Sequence, residues 1–225
     1  NNDNKSEDWN KRAYLINSQL MLDFDRTFGK HHVAALLGAS NESYTSEANQ
    51  ISFKWADPDL GINGDGTEAV ISGDGRSSVT PENTTRTSLT SVFGRAAYDY
   101  DNRYYAEFSF RYDGSSKFAK GNQWGFFPAA SAAWVISEEP FFEGVRRTMN
   151  NLKLRVSYGQ TGNNGIGLYD TYGAFATGQY NGHTTFLPSA MQNADMQWES
   201  TTQLDVGLDV GFLNDRVRFI FDYYN

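Results

Sequence analysis

The sequence contains no cysteine and no long apolar run. The absence of cysteine excludes disulfide bonds, CxxC zinc sites and thiol nucleophiles from these 225 residues. No segment approaches the roughly 18 apolar residues that a membrane-spanning helix needs, which excludes a helical membrane protein. Positive charge is scarce as well, because 19 Lys and Arg residues stand against 27 Asp and Glu residues, a net charge of −8. A surface of this sign repels phosphate backbones, so we expect no nucleic-acid partner.

Aromatic residues and strict alternation are what the sequence has in abundance. Aromatic side chains make up 15% of the residues. In the stretch QLDVGLDVGF (203–212), the even positions from Leu204 to Phe212 are apolar, whereas Asp205 and Asp209 lie on the opposite parity. A period of two predicts a β-strand. Similar alternation marks eight strands in all, starting near residues 9, 31, 88, 104, 124, 152, 197 and 216.

Short and long connections alternate between these strands. FGKH, DYDN and LNDR are tight turns, and SEEPFFEGVRRTMNN is a compact connection with room for a helical turn. Between them come the loop GSSKFAKGNQ and two long loops, at residues 56–85 and 161–196. In an up-and-down meander this order puts the short turns at one end and the long loops at the other, as in outer-membrane β-barrels. Greek-key sandwiches do not usually separate their loops so cleanly.

The apolar parity of the fourth strand favours the same architecture. Tyr104 and Tyr112 flank Ala106, Phe108 and Phe110 on one face. Tyrosine at both ends of an apolar band is typical of the aromatic girdles of a membrane barrel. The alternative is a soluble sandwich whose core has tyrosine at its margins. We therefore predict an all-β, antiparallel, up-and-down transmembrane β-barrel segment.

Four stretches resemble the SusC/RagA-type TonB-dependent outer-membrane transporters. They are RYDGSSKFAKGNQWGFFPAASAAWVISEEPFF (111–142), LKLRVSYGQTGNNGI (152–166), MQWESTTQLDVGLDVGFLNDRVRFIFDYYN (196–225) and the opening hairpin that ends in FGKHH. The resemblance implies a 22-stranded barrel with short periplasmic turns and long extracellular loops. Residues 1–225 would supply about eight of its strands, as part of one barrel domain.

The same resemblance implies a function and a set of partners. The plug domain, its TonB-contacting segment and the closing strands would lie outside this sequence, which we expect to be a piece of a longer protein without a signal peptide of its own. Such proteins lie in the outer membrane of Gram-negative bacteria of the Bacteroidota type, embedded in its lipid. They import glycan fragments or peptides, take energy from the TonB complex and bind a SusD-like lipoprotein as a lid.

Two sets of candidate site residues follow from this architecture. Long barrel loops collect binding residues because the strands give a rigid frame. The loop aromatics that could stack on sugar rings or peptide side chains, or else pack on the loop itself or the lid, are Tyr169, Tyr172, Phe175, Tyr180 and His183. The inward-facing polar residues that would line the lumen and hold the plug are Glu107, Arg111, Arg155, Asp205 and Asp209.

We expect no catalysis, no cofactor and no metal. DPDLGINGDGTE places Asp57, Asp59 and Glu68 at positions 1, 3 and 12 of a calcium-loop count, but Ile62 stands where such a loop requires glycine. Side chains of the adjacent Glu138 and Glu139 diverge on an extended chain, which does not suit a glycosidase pair. We expect them to cap the turn before Pro140. His31 and His32 are adjacent in a tight turn and do not form a zinc motif.

Three functions remain open at this point. The first is an outer-membrane transporter. The second is a soluble, secreted β-sandwich that binds carbohydrate through its long loops. The third is a structural or adhesive barrel without a plug.

Overall fold

The computed structural model describes the backbone of residues 4–55 and 77–225 and the side chains of residues 10–48 and 84–225. The chain divides into two compact units. One comprises Asn1–Ile16 with Ser43–Thr87, and the other Asn17–Glu42 with Ser88–Asn225. Every side-chain contact described below lies within the second unit.

Strands account for most of the described residues. In chain order the strands are β1 (Asn4–Phe28), β2 (His31–Trp55), β3 (Ser77–Tyr100), β4 (Tyr104–Ser115), β5 (Trp124–Val135), β6 (Met149–Asn163), β7 (Ala174–Tyr180), β8 (His183–Ala190), β9 (Glu199–Phe212) and β10 (Val217–Tyr224). Between β5 and β6 lie two 3₁₀ turns, Ile136–Glu138 and Pro140–Phe142, and the one-turn helix α1 (Glu143–Arg146). No helix in the described part of the chain is long and apolar enough to cross a membrane.

Eight of these strands form one sheet in the order β1-β2-β3-β4-β5-β6-β9-β10. Each register described between β3 and β10 in this sheet is antiparallel. Neighbours in sequence are therefore neighbours in the sheet, apart from the insertion of β7 and β8. This confirms the predicted eight-stranded meander; the sheet does not close into a barrel within this segment.

The strands β7 and β8 form a separate two-stranded sheet inside the predicted long loop. Their turn is Asn181-Gly182, with φ angles of 50° and 77°. Positive φ at both central residues is the signature of a type I′ hairpin, for which Asn-Gly is the preferred pair. The sequence analysis predicted a long loop over residues 161–196 but did not predict this hairpin within it.

The short connections lie at one end of the sheet, as predicted. They are residues 29–30, 101–103 and 213–216, together with the compact connection that holds α1. Asp101 and Asn102 adopt φ angles of 55° and 57° in the β3–β4 turn, a conformation that Asn and Asp tolerate better than most residues. The connections β4–β5 and β6–β9 leave from the opposite end. We call the end with the short connections the turn end and the opposite end the loop end.

The registers give the sheet two chemically different faces. On one face, a row of successive cross-strand partners runs over β3, β4, β5, β6 and β9 and consists of Ala96, Phe108, Ala130, Tyr158 and Leu204. The neighbouring row on the other face is Ala97, Glu107, Ser131, Ser157 and Asp205. We call the first the apolar face and the second the polar face.

The apolar face is open rather than packed on a second layer. Phe108 and Tyr158 keep 49% and 54% of their surface exposed. Among the residues whose side chains are described, the buried hydrophobic ones are Phe118, Phe127 and Phe142. A soluble sandwich would bury the apolar parity of its strands between two sheets. The described strands do the opposite, so the sandwich expectation does not fit this fold.

Candidate functional site

The polar face forms a concavity of about 650 Å³ across β1 to β9. Its floor consists of small side chains, among them Ala97, Ala133, Ser131 and Ser157. Charged side chains lie among these small residues, namely Asp23, Arg95, Asp99, Glu107, Arg155 and Asp205.

Arg155 connects three strands on this face. Its guanidinium donates to Asp209 from Nε at 3.1 Å and from a terminal nitrogen at 2.9 Å, and the same terminal nitrogen donates to Asp222 at 2.8 Å. Gly207 faces Arg155 in the β6–β9 register. A Cβ at Gly207 would lie only 2.6 Å from the guanidinium nitrogen, so glycine is what gives the side chain its path. This bidentate geometry is specific to arginine.

Two further arginines on the polar face are paired within the sheet. Arg95 of β3 donates to Glu107 of β4 at 2.6 Å. Arg111 donates to Asp113 at 3.1 and 3.2 Å and to Ser91 at 3.1 Å, and its guanidinium lies 5.5 Å from the centre of the Phe93 ring. Asp113 and Ser91 are buried, at 8% and 1% exposure. Each of these arginines therefore has an acidic partner on the same face.

All five residues predicted to face inward lie on the polar face, as the registers of β4, β6 and β9 require. Glu107, Arg111, Arg155 and Asp209 are engaged in the pairs just described. Asp205 has no hydrogen-bond or ion-pair partner among the described side chains. That these residues line a lumen stays a prediction.

The predicted loop aromatics are all exposed, but they do not form one cluster. Tyr169 and Tyr172 lie in the turns before β7, at 68% and 58% exposure. Tyr180 and His183 pair across the tip of the hairpin, whereas Phe175 lies near its base on the opposite face. Phe186 shares the face of Phe175 and is 69% exposed, and the sequence analysis did not single it out. Their binding role stays a prediction.

Aromatic side chains form two rows on the apolar face. At the turn end, Tyr104 lies between Tyr100 and Trp134, with ring centroids 6.4 Å away on each side. At the loop end, Tyr112 stacks on Trp124 at 4.8 Å. The eight residue steps from Tyr104 to Tyr112 span about 26 Å along the strand. At a strand tilt of about 35–45° this length corresponds to about 20 Å along the membrane normal, close to the apolar band of roughly 25 Å between two aromatic girdles.

A polar network joins the turns at the turn end. Glu139, 7% exposed, accepts hydrogen bonds from Tyr104 Oη at 2.5 Å and from Trp134 Nε1 at 3.1 Å. These two hydrogen bonds, with the nearby Arg103, hold the pKa of Glu139 below its ordinary value. A hydrogen bond from Lys30, supported by the charge of Arg103, likewise lowers the pKa of Asp101.

The expected capping role of Glu138 and Glu139 was wrong. Neither 3₁₀ turn in this connection has a side-chain cap, although Glu139 occupies the residue before Pro140. The carboxylate of Glu139 is drawn instead to the aromatic donors of β4 and β5. Glu138 pairs with Arg146 at 3.3 Å. Tyr104 is 35 residues and Trp134 five residues from Glu139 in sequence, and it is the sheet register that brings both to this carboxylate.

The adjacent histidines have separate surroundings. The His31 ring lies 4.9 Å from that of Tyr100, and its Nδ1 is 2.7 Å from Tyr98 Oη. His32 lies between Asp25 and Asp99, at 3.1 and 3.3 Å. No group of three His, Cys, Asp or Glu side chains in the described part of the chain could hold a metal ion. Asp57, Asp59 and Glu68, weighed above as a calcium loop, lie outside the described residues.

Comparisons with known proteins agree with this two-faced sheet. The family model described as "TonB dependent receptor-like, beta-barrel" matches residues 1–225. TonB-dependent receptor P3 of Formosa agariphila is 33% identical over 224 residues, which is 92% of this chain and 20% of that protein. TonB-dependent receptor SusC of Bacteroides thetaiotaomicron is 40% identical over 149 residues, 62% of this chain and 15% of that protein.

Among solved structures, the RagAB peptide transporter aligns with a TM-score of 0.74 at 25% identity. The alignment covers 98% of this chain and 24% of that one. The chain spans about a fifth of the length of the first curated relative that it matches.

Proposed function

We propose that this chain is the central barrel wall of a nutrient transporter, because it belongs to the TonB-dependent receptor β-barrel family and is of the SusC/RagA type. Proteins of this type are outer-membrane β-barrels of Gram-negative bacteria. The whole protein would be a 22-stranded barrel, with further strands pairing beside β1 and β10. An N-terminal plug, encoded outside these residues, would fill the barrel.

The observation that carries the proposal is the chemical division of the sheet into two faces. The apolar face presents exposed Phe, Tyr and Leu side chains between two aromatic rows, which suits contact with lipid. The polar face presents paired arginines and carboxylates among Ala and Ser side chains. Glu107, Arg111, Arg155, Asp205 and Asp209 would line the lumen there and contact the plug.

The proposed activity is gated passage without catalysis. The TonB complex would pull on the plug and so open a path along the polar face. A SusD-like lipoprotein would cover the loop end, which would face the cell exterior. The short connections at the turn end would lie in the periplasm.

The proposed cargo is a glycan fragment or a peptide. The RagAB peptide transporter, to which this chain is similar in structure, supports the peptide class for this chain. Tyr169, Tyr172, Phe175, Tyr180 and His183 would contact cargo or the lid from the loop end. Their exposure supports this role because exposed aromatic groups mark interaction surfaces.

Uptake in the source bacterium tests the proposal. Cells with and without the full-length gene would be given fluorescently labelled peptide and oligosaccharide mixtures, with a strain lacking TonB as the control. We expect uptake of one of the two cargo classes to be lost in both mutant strains. Equal uptake of both classes in all three strains would contradict transport and favour a purely structural barrel.

A further inference from the structure

Three aromatic side chains meet at the loop end, where Phe127 is the cross-strand partner of Arg111 in the β4–β5 register. The Trp198 ring lies 5.4 Å from that of Phe118 and 5.3 Å from that of Phe127, between ring centroids. Phe118 and Phe127 are buried, at 2% and 8% exposure. We call these three residues the loop-end cluster. It contains two of the three buried hydrophobic side chains found among the described residues.

Glycines beside the cluster leave it the space that it occupies. A Cβ at Gly125 would lie 2.5 Å from the Phe127 ring and 3.0 Å from the Trp198 ring. A Cβ at Gly162 would overlap the Phe127 ring. Any larger residue at either position would displace an aromatic ring, so the backbones of β5 and β6 accommodate this packing directly.

Two of the cluster members come from different connections, and the third, Phe127, lies in β5. Phe118 lies in the β4–β5 connection, whereas Trp198 closes the β6–β9 connection just before β9. Polar contacts join the same two connections. Trp198 Nε1 donates to the Gln123 carbonyl at 2.9 Å, Asn122 Nδ2 donates to the Ala194 carbonyl at 3.0 Å, and Lys117 Nζ donates to the Asn164 carbonyl at 3.3 Å. The β4–β5 connection therefore contacts both ends of the β6–β9 connection, at Asn164 and at Ala194 and Trp198.

We infer that Trp198 is a positioning residue that joins the β4–β5 and β6–β9 connections into one cooperative unit. The β6–β9 connection carries Tyr169, Tyr172 and the β7–β8 hairpin. Anchoring both of its ends limits the conformations that these groups explore, and such restriction favours binding because less freedom is lost on association. The inference rests on the proposed function only where it assigns cargo or lid binding to Tyr169, Tyr172 and the hairpin. The coupling between the two connections depends on the fold alone.

Hydrogen–deuterium exchange of the full-length protein in detergent tests the coupling. We expect Trp198→Ala to reduce amide protection by roughly ten- to a hundredfold, together, in residues 116–123 and in the flanks of the hairpin, because buried aromatic packing is lost. Trp198→Phe keeps an aromatic ring but loses the bond to Gln123, so it should restore most of the protection in both connections. Trp124→Ala is the matched control, since Trp124 lies at the same end on the apolar face.

Three outcomes would overturn the inference. They are loosening of only one connection, equal loosening by Trp124→Ala, and no restoration by the phenylalanine variant. If Trp198→Ala fails to assemble, Phe118→Ala provides the same test, because Phe118 lies outside the strands and should also loosen both connections. These readouts need no cargo, so loss of coupling and loss of uptake are measured separately.

Discussion

At the scale of single residues, Arg155 is a polar-face side chain with two charged partners. It pairs with carboxylates on two neighbouring strands, Asp209 and Asp222, and its own side chain is 35% exposed. We expect Arg155→Ala in the full-length protein to lower the free energy of unfolding by about 1 kcal/mol, a value reduced by solvent screening. Arg155→Lys should recover only part of it, because lysine cannot bind two carboxylates in a planar fork.

Urea denaturation in detergent measures this difference. Arg218→Ala is the control, because Arg218 is 55% exposed and comes no closer than 3.9 Å to its acidic partner, Asp215. We expect that change to stay within about 0.5 kcal/mol. Equal effects of the two alanine variants would show that the three-strand pairing contributes nothing specific.

Glu139 gives the turn end a defined pH dependence. The pKa of Glu139 is held below its ordinary value of 4.5, so the folded state binds fewer protons there than the unfolded state. Its contribution is therefore complete above the unfolded pKa and is lost as the pH falls through the folded pKa. We expect Glu139→Gln to be less stable than the parent at pH 7, with a gap that narrows below about pH 4.5.

Thermal unfolding between pH 7 and pH 3 measures that gap. The pKa of Asp101 is lowered as well, but Asp101 is present in both proteins and cancels in the comparison. A gap that stays constant across this range would mean that the carboxylate charge has no part in the effect of the substitution.

At the scale of the elements, the two faces of β4 can be tested with neighbouring residues. Phe108 lies in the middle of the apolar face, and Ser109, the next residue, lies on the polar face. If the apolar face contacts lipid, we expect Phe108→Arg to cost about 2–4 kcal/mol and Ser109→Arg to cost about 1 kcal/mol or less. Unfolding of the full-length protein from lipid vesicles measures both values. The opposite ranking would place lipid on the polar face.

The sequence predicted these elements where one chemical pattern repeats within a strand. Alternation placed Phe108 and Glu107 on opposite faces, and Gly, Asn and Asp marked the tight turns. The β7–β8 hairpin was missed because AFATGQY does not alternate, although Asn181-Gly182 was a readable turn signal. Contacts set by register could not be read at all. Phe118, Phe127 and Trp198 are distant in sequence, and nothing local announces that they meet.

At the scale of the whole molecule, the eight-stranded sheet is open. The order places β1 and β10 at its ends, so each has one neighbour among the described strands. Unpaired backbone groups on a long strand edge recruit other chains. We expect residues 1–225 produced alone to aggregate on refolding without detergent, as measured by size-exclusion chromatography. Recovery of a stable, soluble monomer would contradict the need for further strands.

The orientation of the sheet in the membrane gives the last prediction. Because the 225 residues contain no cysteine, a cysteine introduced here adds a single new thiol to this segment. Gln179 is exposed in β7, and Gly144 in α1 has room for a side chain, with nothing within 4 Å of an added Cβ. If the loop end faces the exterior, a membrane-impermeant maleimide added to intact cells should label Gln179→Cys in the full-length protein but not Gly144→Cys. Permeabilising the outer membrane should expose both. The parent protein is the control for any cysteine elsewhere in its chain, and preferential labelling of Gly144→Cys in intact cells would reverse the assignment of the two ends.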